Sequence, residues 1–150
     1  MRTIRHFLLL ISLMFWQGGF MFYGGVVVPI GGRILGSESL QGLITQSATN
    51  YLNLAGIVCM TFWGNHLWRE RKLHVSRFEW CLFIGTVCSL VALAVIHLSM
   101  DLIIDVRSVK VVDPVRFDLY HKLYISISSV QWLASLLLLF LSIRRWNRAA

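Results

Sequence analysis

Two stripes of polar side chains, set at helical spacing inside otherwise apolar segments, are the residues of this chain best suited to chemistry. Gln46, Asn50 and Asn53 follow one another at intervals of four and three. That spacing gathers three amides in a narrow arc of one helix face, with Thr49 close by and Gly42 one turn earlier. His121, Tyr124, Ser128, Gln131 and Ser135 repeat the pattern at three, four, three and four. Such groups on facing helices can hydrogen-bond one another, which inside a membrane contributes about 0.6 kcal/mol per pair on average. They can also line a cavity, because intramembrane polar groups mark pathways and sites. The stripes predict an outward-opening polar pocket between the first, second and fourth helices, lined by Gln46, Asn50, Asn53, His121, Tyr124, Ser128 and Gln131. Its expected use is to bind or pass a small polar solute or ion.

The histidines form a second constellation. His6 and His66 fall at one end of the apolar segments, His97 and His121 at the other, and His74 lies between segments. Pairs at matching depth can ligate a b-type haem, and Asp101, one turn after His97, adds a carboxylate to the second pair. Candidate metal ligands are therefore His6, His66, His97, Asp101 and His121. The leading expectation is a protein without cofactor, and haem b is the redox alternative. No HExxH, P-loop or GxSxG pattern occurs, so no catalytic residue is assigned and a non-enzymatic role is expected.

The elements that must position these groups are written in the composition. Of 150 residues, 57% are hydrophobic and 14% charged, against nearly a quarter charged in ordinary soluble domains. The apolar residues fall into four runs, about 7–30, 43–68, 78–100 and 119–143. Each is long enough at about 1.5 Å per residue to cross a hydrocarbon core of roughly 30 Å. The expected architecture is all-α: one domain, 1–150, forming an integral membrane antiparallel four-helix bundle. The start MRTIRHFLLLISLMFW has the basic and apolar regions of a signal peptide, but no small-x-small site follows, so an uncleaved anchor is expected.

Lysine and arginine set the expected orientation. Arg2, Arg5, Arg69, Arg71, Lys72, Arg77, Arg144, Arg145 and Arg148 share one side, against Arg33, Arg107, Lys110, Arg116 and Lys122 on the other. Nine against five predicts that both termini are cytoplasmic. The formal net charge of +7 is then a property of the cytoplasmic face and calls for no nucleic acid. The segment RERKLHVSR, Arg69 to Arg77, reads as a cytoplasmic loop carrying the topology signal. DLIIDVRSVKVVDPVRFD, Asp101 to Asp118, reads as a small outer cap, with Asp113 and Pro114 starting the last helix as N-cap and first helical residue. Cys59, Cys81 and Cys88 lie within the spans, with no CxxC, and read as small apolar groups. Trp68, Trp80 and Trp146 occupy interface positions.

The first run carries three glycine pairs and a proline. Gly18, Gly25 and Gly32 are spaced by sevens, and Gln17, Gly24 and Gly31 form a neighbouring row. They predict a thin strip against which another helix packs, because close backbone approach is a main source of helix association in lipid. Pro29 removes one backbone donor and crowds the Gly25 carbonyl, which predicts a kink. A partner helix received on the strip, in a helper-subunit role, is the third functional alternative.

GGFMFYGGVVVPIGGRILGS, with Phe22, Tyr23, Gly24, Val26, Val27 and Pro29, and FDLYHKLYISISSVQWLASL, with His121, Tyr124, Ser128, Gln131 and Trp132, carry a resemblance across all four spans. The chain resembles small four-helix bacterial membrane proteins of a domain-of-unknown-function group similar to the transmembrane-protein-205-like family. The resemblance implies a fold and a location, the bacterial cytoplasmic (inner) membrane, crossed several times. Its partners would be the lipid bilayer and either further copies of itself or another membrane protein.

Overall fold

The computed structural model describes residues 2–71, 75–105 and 110–148. Lys72 and His74 of the basic loop and Arg107 of the cap lie outside the described residues. The chain forms α1 (Arg2–Phe22), a π-helical turn (Tyr23–Val27), α2 (Val28–Leu35), α3 (Glu38–Glu70), α4 (Arg77–Asp101), a hairpin of β1 (Ile104–Asp105) and β2 (Lys110–Val111), and α5 (Pro114–Arg148). Since α1, the π turn and α2 follow one another without a break, the helices make four rods. The start of α1, the end of α3, the start of α4 and the end of α5 meet through side chains at one end, so successive rods run antiparallel.

Local chemistry explains the boundaries. α2 ends at Gly36, whose φ of 57° lies in the left-handed region that glycine enters without steric cost. Ser37 then caps α3, its Oγ accepting from the Leu40 N–H at 3.3 Å. Ser76 and Glu79 open α4 as a capping box: Ser76 Oγ accepts from the Glu79 N–H at 3.1 Å and Glu79 Oε2 from the Ser76 N–H at 2.9 Å. α5 opens at Pro114, with Asp113 Oδ1 accepting from the Arg116 N–H at 3.1 Å. The expected outer cap includes the short antiparallel hairpin, which pairs Ile104 with Val111 and Asp105 with Lys110.

The first rod departs from the expected simple kink. Pro29 has no N–H to offer the Gly25 carbonyl, and the turn just before it widens: the Val28 N–H reaches back five residues to Tyr23 O. A π turn loosens the backbone where the proline ring would collide with it. The Tyr23 hydroxyl anchors this turn to α3, donating to Thr45 Oγ1 at 3.1 Å, and Thr45 in turn donates to Gln41 O at 2.9 Å.

α1 packs mainly on α3, and α4 mainly on α5, with α3 joining the two pairs. Leu9, Leu13 and Trp16 of α1, Cys59, Met60, Trp63 and Leu67 of α3, Leu90 of α4 and Leu138 of α5 form the buried apolar core. Large apolar side chains also cover the outside: Phe7, Met14 and Phe15 on α1, Val91, Val95 and Leu98 on α4, Val130, Leu133 and Phe140 on α5. An interior that mixes polar and apolar groups beneath an apolar exterior is the pattern of helices solvated by lipid. Three segments, Thr3–Leu35, Arg77–Asp101 and Pro114–Arg148, are long and apolar enough to cross a membrane. α3 is long enough but falls short in hydropathy among the described residues, because Gln41, Gln46, Asn50, Asn53, Asn65 and His66 dilute it.

The glycines are used differently from the expected strip. Gly18, Gly24, Gly25 and Gly32 are exposed, and a Cβ on any of them would meet nothing within 4 Å. Among the glycines of the two rows, Gly31 lies against α3, where a Cβ would strike the Gln41 amide. The close approaches fall elsewhere: Gly19 meets Leu52, Gly56 meets Trp16 and Leu90, and Gly64 meets Phe83. Heptad spacing places residues on one face but does not say which face turns inward. Gly25→Leu should therefore hold unfolding stability within about 0.5 kcal/mol of wild type. Thermal melting in detergent checks this, and a loss above about 2 kcal/mol would mean that the strip is covered.

Candidate functional site

The polar stripes meet in part. Asn53 from α3 and Tyr124, Ser128 and Gln131 from α5 surround a cavity of about 10 Å³ together with Trp16, Gln17 and Phe20 from α1, Leu52 from α3 and Leu93 from α4. That volume is on the scale of one water molecule. The Tyr124 hydroxyl donates to Asn53 Oδ1 at 3.5 Å, and Gln131 Nε2 donates to the Thr86 carbonyl of α4 at 3.1 Å. The Thr86 hydroxyl turns back onto Leu82 O at 2.8 Å. Ser128, only 2% exposed, makes no hydrogen bond of normal geometry through its Oγ, and the Tyr124 hydroxyl is the side-chain group close to it. Its neighbours on α5 behave differently: Ser126, Ser129, Ser135 and Ser142 each donate to a carbonyl three or four residues back. One turn along α4 from Leu93, buried His97 has neither ring nitrogen within hydrogen-bonding distance of a partner; its Nε2 stands 3.7 Å from Asp101 Oδ2, and Asp101 Oδ1 makes no hydrogen bond. Buried polar atoms without protein partners are the places where water or a polar ligand is bound.

Three of the expected pocket residues are not brought to the cavity. Gln46 is half-buried away from it, and Asn50 is exposed. The buried face of α3 follows Thr49, Gly56, Trp63 and Glu70. Asn50, about 100° round from Thr49, therefore points out. His121 lies on the correct stripe but beyond the covered part of α5, exposed and stacked on Phe117 with ring centroids 6.1 Å apart. Gln17, read from sequence only as part of the glycine strip, is buried and lines the cavity.

At the opposite end, all four rods contribute to a buried charged cluster. His6 of α1 approaches Glu70 Oε1 of α3 with its Nε2 at 3.3 Å. His66, one turn before Glu70, brings its Nε2 to 3.3 Å from Glu70 Oε2, and Arg145 Nε of α5 donates to the same oxygen at 3.1 Å. Arg145 Nη1 donates to Glu79 Oε1 of α4, whose Oε2 also receives the Ser76 N–H and hydroxyl. Trp146 stacks on His6 with centroids 3.9 Å apart, and its Nε1–H donates to His66 Nε2 at 3.1 Å.

The sequence pointed to His6 and His66, carried Glu70 only within the basic loop and Arg145 only among the charges that set orientation, and did not single out Glu79. Signals for all three are present. Arg145 continues the buried series Ser128, Gln131, Ser135, Leu138 and Ser142, Glu70 is four residues from His66, and Glu79 completes a capping box.

Haem does not fit either histidine pair. A bis-histidine haem places the porphyrin between the two imidazoles, but the Glu70 carboxylate contacts both His6 and His66, and Trp146 covers the His6 ring. His97 is buried beside Tyr124 while His121 faces outward on Phe117, so these two do not converge. Compared with protein-family models, curated proteins and solved structures, the chain matches none.

Proposed function

We propose that the chain is a multi-pass integral membrane protein of the bacterial cytoplasmic membrane, with both termini cytoplasmic. Its cavity among Gln17, Asn53, Tyr124, Ser128 and Gln131 holds a small, neutral polar solute of water's size. The observation that carries this reading is the buried Ser128 hydroxyl, which makes no hydrogen bond of normal geometry and lies with the Tyr124 phenol beside a water-sized cavity lined by amides. The lining offers donors and acceptors but no carboxylate, and an uncompensated cation is costly in such surroundings. Neutral solutes are favoured for that reason. The nine-to-five bias of Lys and Arg supports the orientation, and the three apolar helices support the location.

The test is flux across proteoliposomes, with osmotic water permeability and ammonia uptake followed by stopped flow. Wild-type vesicles should exceed empty ones several-fold, and Gln131→Leu, which fills the cavity with an apolar side chain, should return the rate to background while the protein stays folded. Equal rates for wild-type and empty vesicles would remove the reading. A second reading is supported by the open faces of Gly18, Gly24, Gly25 and Gly32: the strip receives a helix of another copy or of a partner membrane protein. Gly25→Leu should then abolish that association without unfolding the chain.

A further inference from the structure

We infer that His6, His66 and Glu70 form a binding site for one divalent transition-metal ion of the Zn²⁺ type, at the end of the bundle opposite the polar cavity. One ligand atom from each residue lies within 4.8 Å of the other two. His6 Nε2 lies 3.3 Å from Glu70 Oε1 and His66 Nε2 lies 3.3 Å from Glu70 Oε2, so the two imidazoles approach the carboxylate through different oxygens. A tetrahedral ion with bonds of about 2.0–2.1 Å separates its ligands by roughly that distance, and two imidazoles with one carboxylate are a familiar zinc set that leaves the fourth position open.

The hydrogen bonding gives an independent reason. Trp146 Nε1–H can only donate, so the His66 Nε2 that receives it at 3.1 Å carries a lone pair and no proton, and a metal ion bound there takes that lone pair in place of the tryptophan hydrogen. The same nitrogen faces Glu70 Oε2 at 3.3 Å, an approach of acceptor to acceptor that a shared cation relieves. Beside it the Arg145 guanidinium bridges the Glu70 and Glu79 carboxylates. Arg145 is held between the two acids and leaves Glu70 Oε1 directed at His6. His6, 18% exposed against 2% for Glu70, provides the way in, and Trp146 stacked on it fixes the ring as an outer support for the ligand. Binding on this model couples α1 to α3 and does not depend on what occupies the polar cavity.

The test uses the full chain in detergent after treatment with a chelator, titrated with Co²⁺ and then with Zn²⁺. The expected result is the intense visible absorption of tetrahedral Co²⁺, saturating at about one ion per chain and displaced by Zn²⁺. Affinity should fall at least tenfold in His6→Gln and in Glu70→Gln, while His121→Ala, at the far end, should bind as wild type does. Because His6 is partly exposed, His6→Gln should keep its fold, shown by an unchanged circular dichroism spectrum. Zn²⁺ should raise the melting temperature of wild type but not of His6→Gln. A folded wild-type protein without a saturable band, or with one that His6→Gln leaves unchanged, overturns the proposal.

Discussion

Arg145→Ala should be among the most destabilising single substitutions in this chain, costing about 3–5 kcal/mol of unfolding free energy. Arg145 is the cation between two acids that are almost without solvent, Glu70 at 2% and Glu79 at 5% exposure, and it reaches one through Nε and the other through Nη1. Removing it leaves the buried Glu79 carboxylate without its guanidinium and takes a charged donor from Glu70, and the penalty is the cost of leaving buried charge uncompensated rather than the value of the ion pair. The same reasoning fixes a control. Arg145→Ala combined with Glu79→Gln should recover part of the loss, because one stranded charge is then gone. Thermal unfolding in one detergent checks both variants. A single variant within about 0.5 kcal/mol of wild type would show that water reaches the cluster freely.

Gly56→Leu should be nearly as severe, costing about 3 kcal/mol or preventing assembly of α1 on α3, through overpacking rather than charge. A Cβ at Gly56 would stand 2.8 Å from Trp16 Cε2, 2.9 Å from Trp16 Nε1 and 3.0 Å from Leu90 Cδ1. Trp16 is a rigid ring, 4% exposed, packed in the core and lining the polar cavity, so it has little freedom to withdraw. Melting temperature and the near-ultraviolet circular dichroism of the tryptophans read the effect. Wild-type values in both would contradict the close approach of α1 and α3.

What was legible in the sequence follows from which patterns carry direction. Four long apolar runs and the polar breaks between them gave four helical rods, and Asp113-Pro114 marked the start of the last one, because caps and hydropathy act locally. The stripe from Tyr124 to Ser135 was readable because the same face stays buried along α5, through Ser142 to Arg145. Spacing alone could not tell which edge of the Gln46, Asn50 and Asn53 arc turns inward; Gly56 decides that through Trp16 on α1 and Leu90 on α4. The glycines of the first run show the same limit: seven-residue periodicity gathers Gly18, Gly25 and Gly32 on a face that is open within this chain, while the packed glycines include Gly19, which lies off both rows, and Gly56, which belongs to no motif. Charges at helix ends normally face water, so Glu70, Glu79 and Arg145 were readable only together, as residues whose registers bring them to one end of the bundle.

The most direct test of the polar cavity is an experimental structure of the protein in lipid, at a resolution that shows ordered water. The expected result is density for a water-sized occupant within hydrogen-bonding distance of Ser128 Oγ and in reach of Asn53 and Tyr124. A cavity closed by side chains, with the Ser128 hydroxyl turned back onto the Tyr124 carbonyl as its neighbouring serines turn onto theirs, would contradict it.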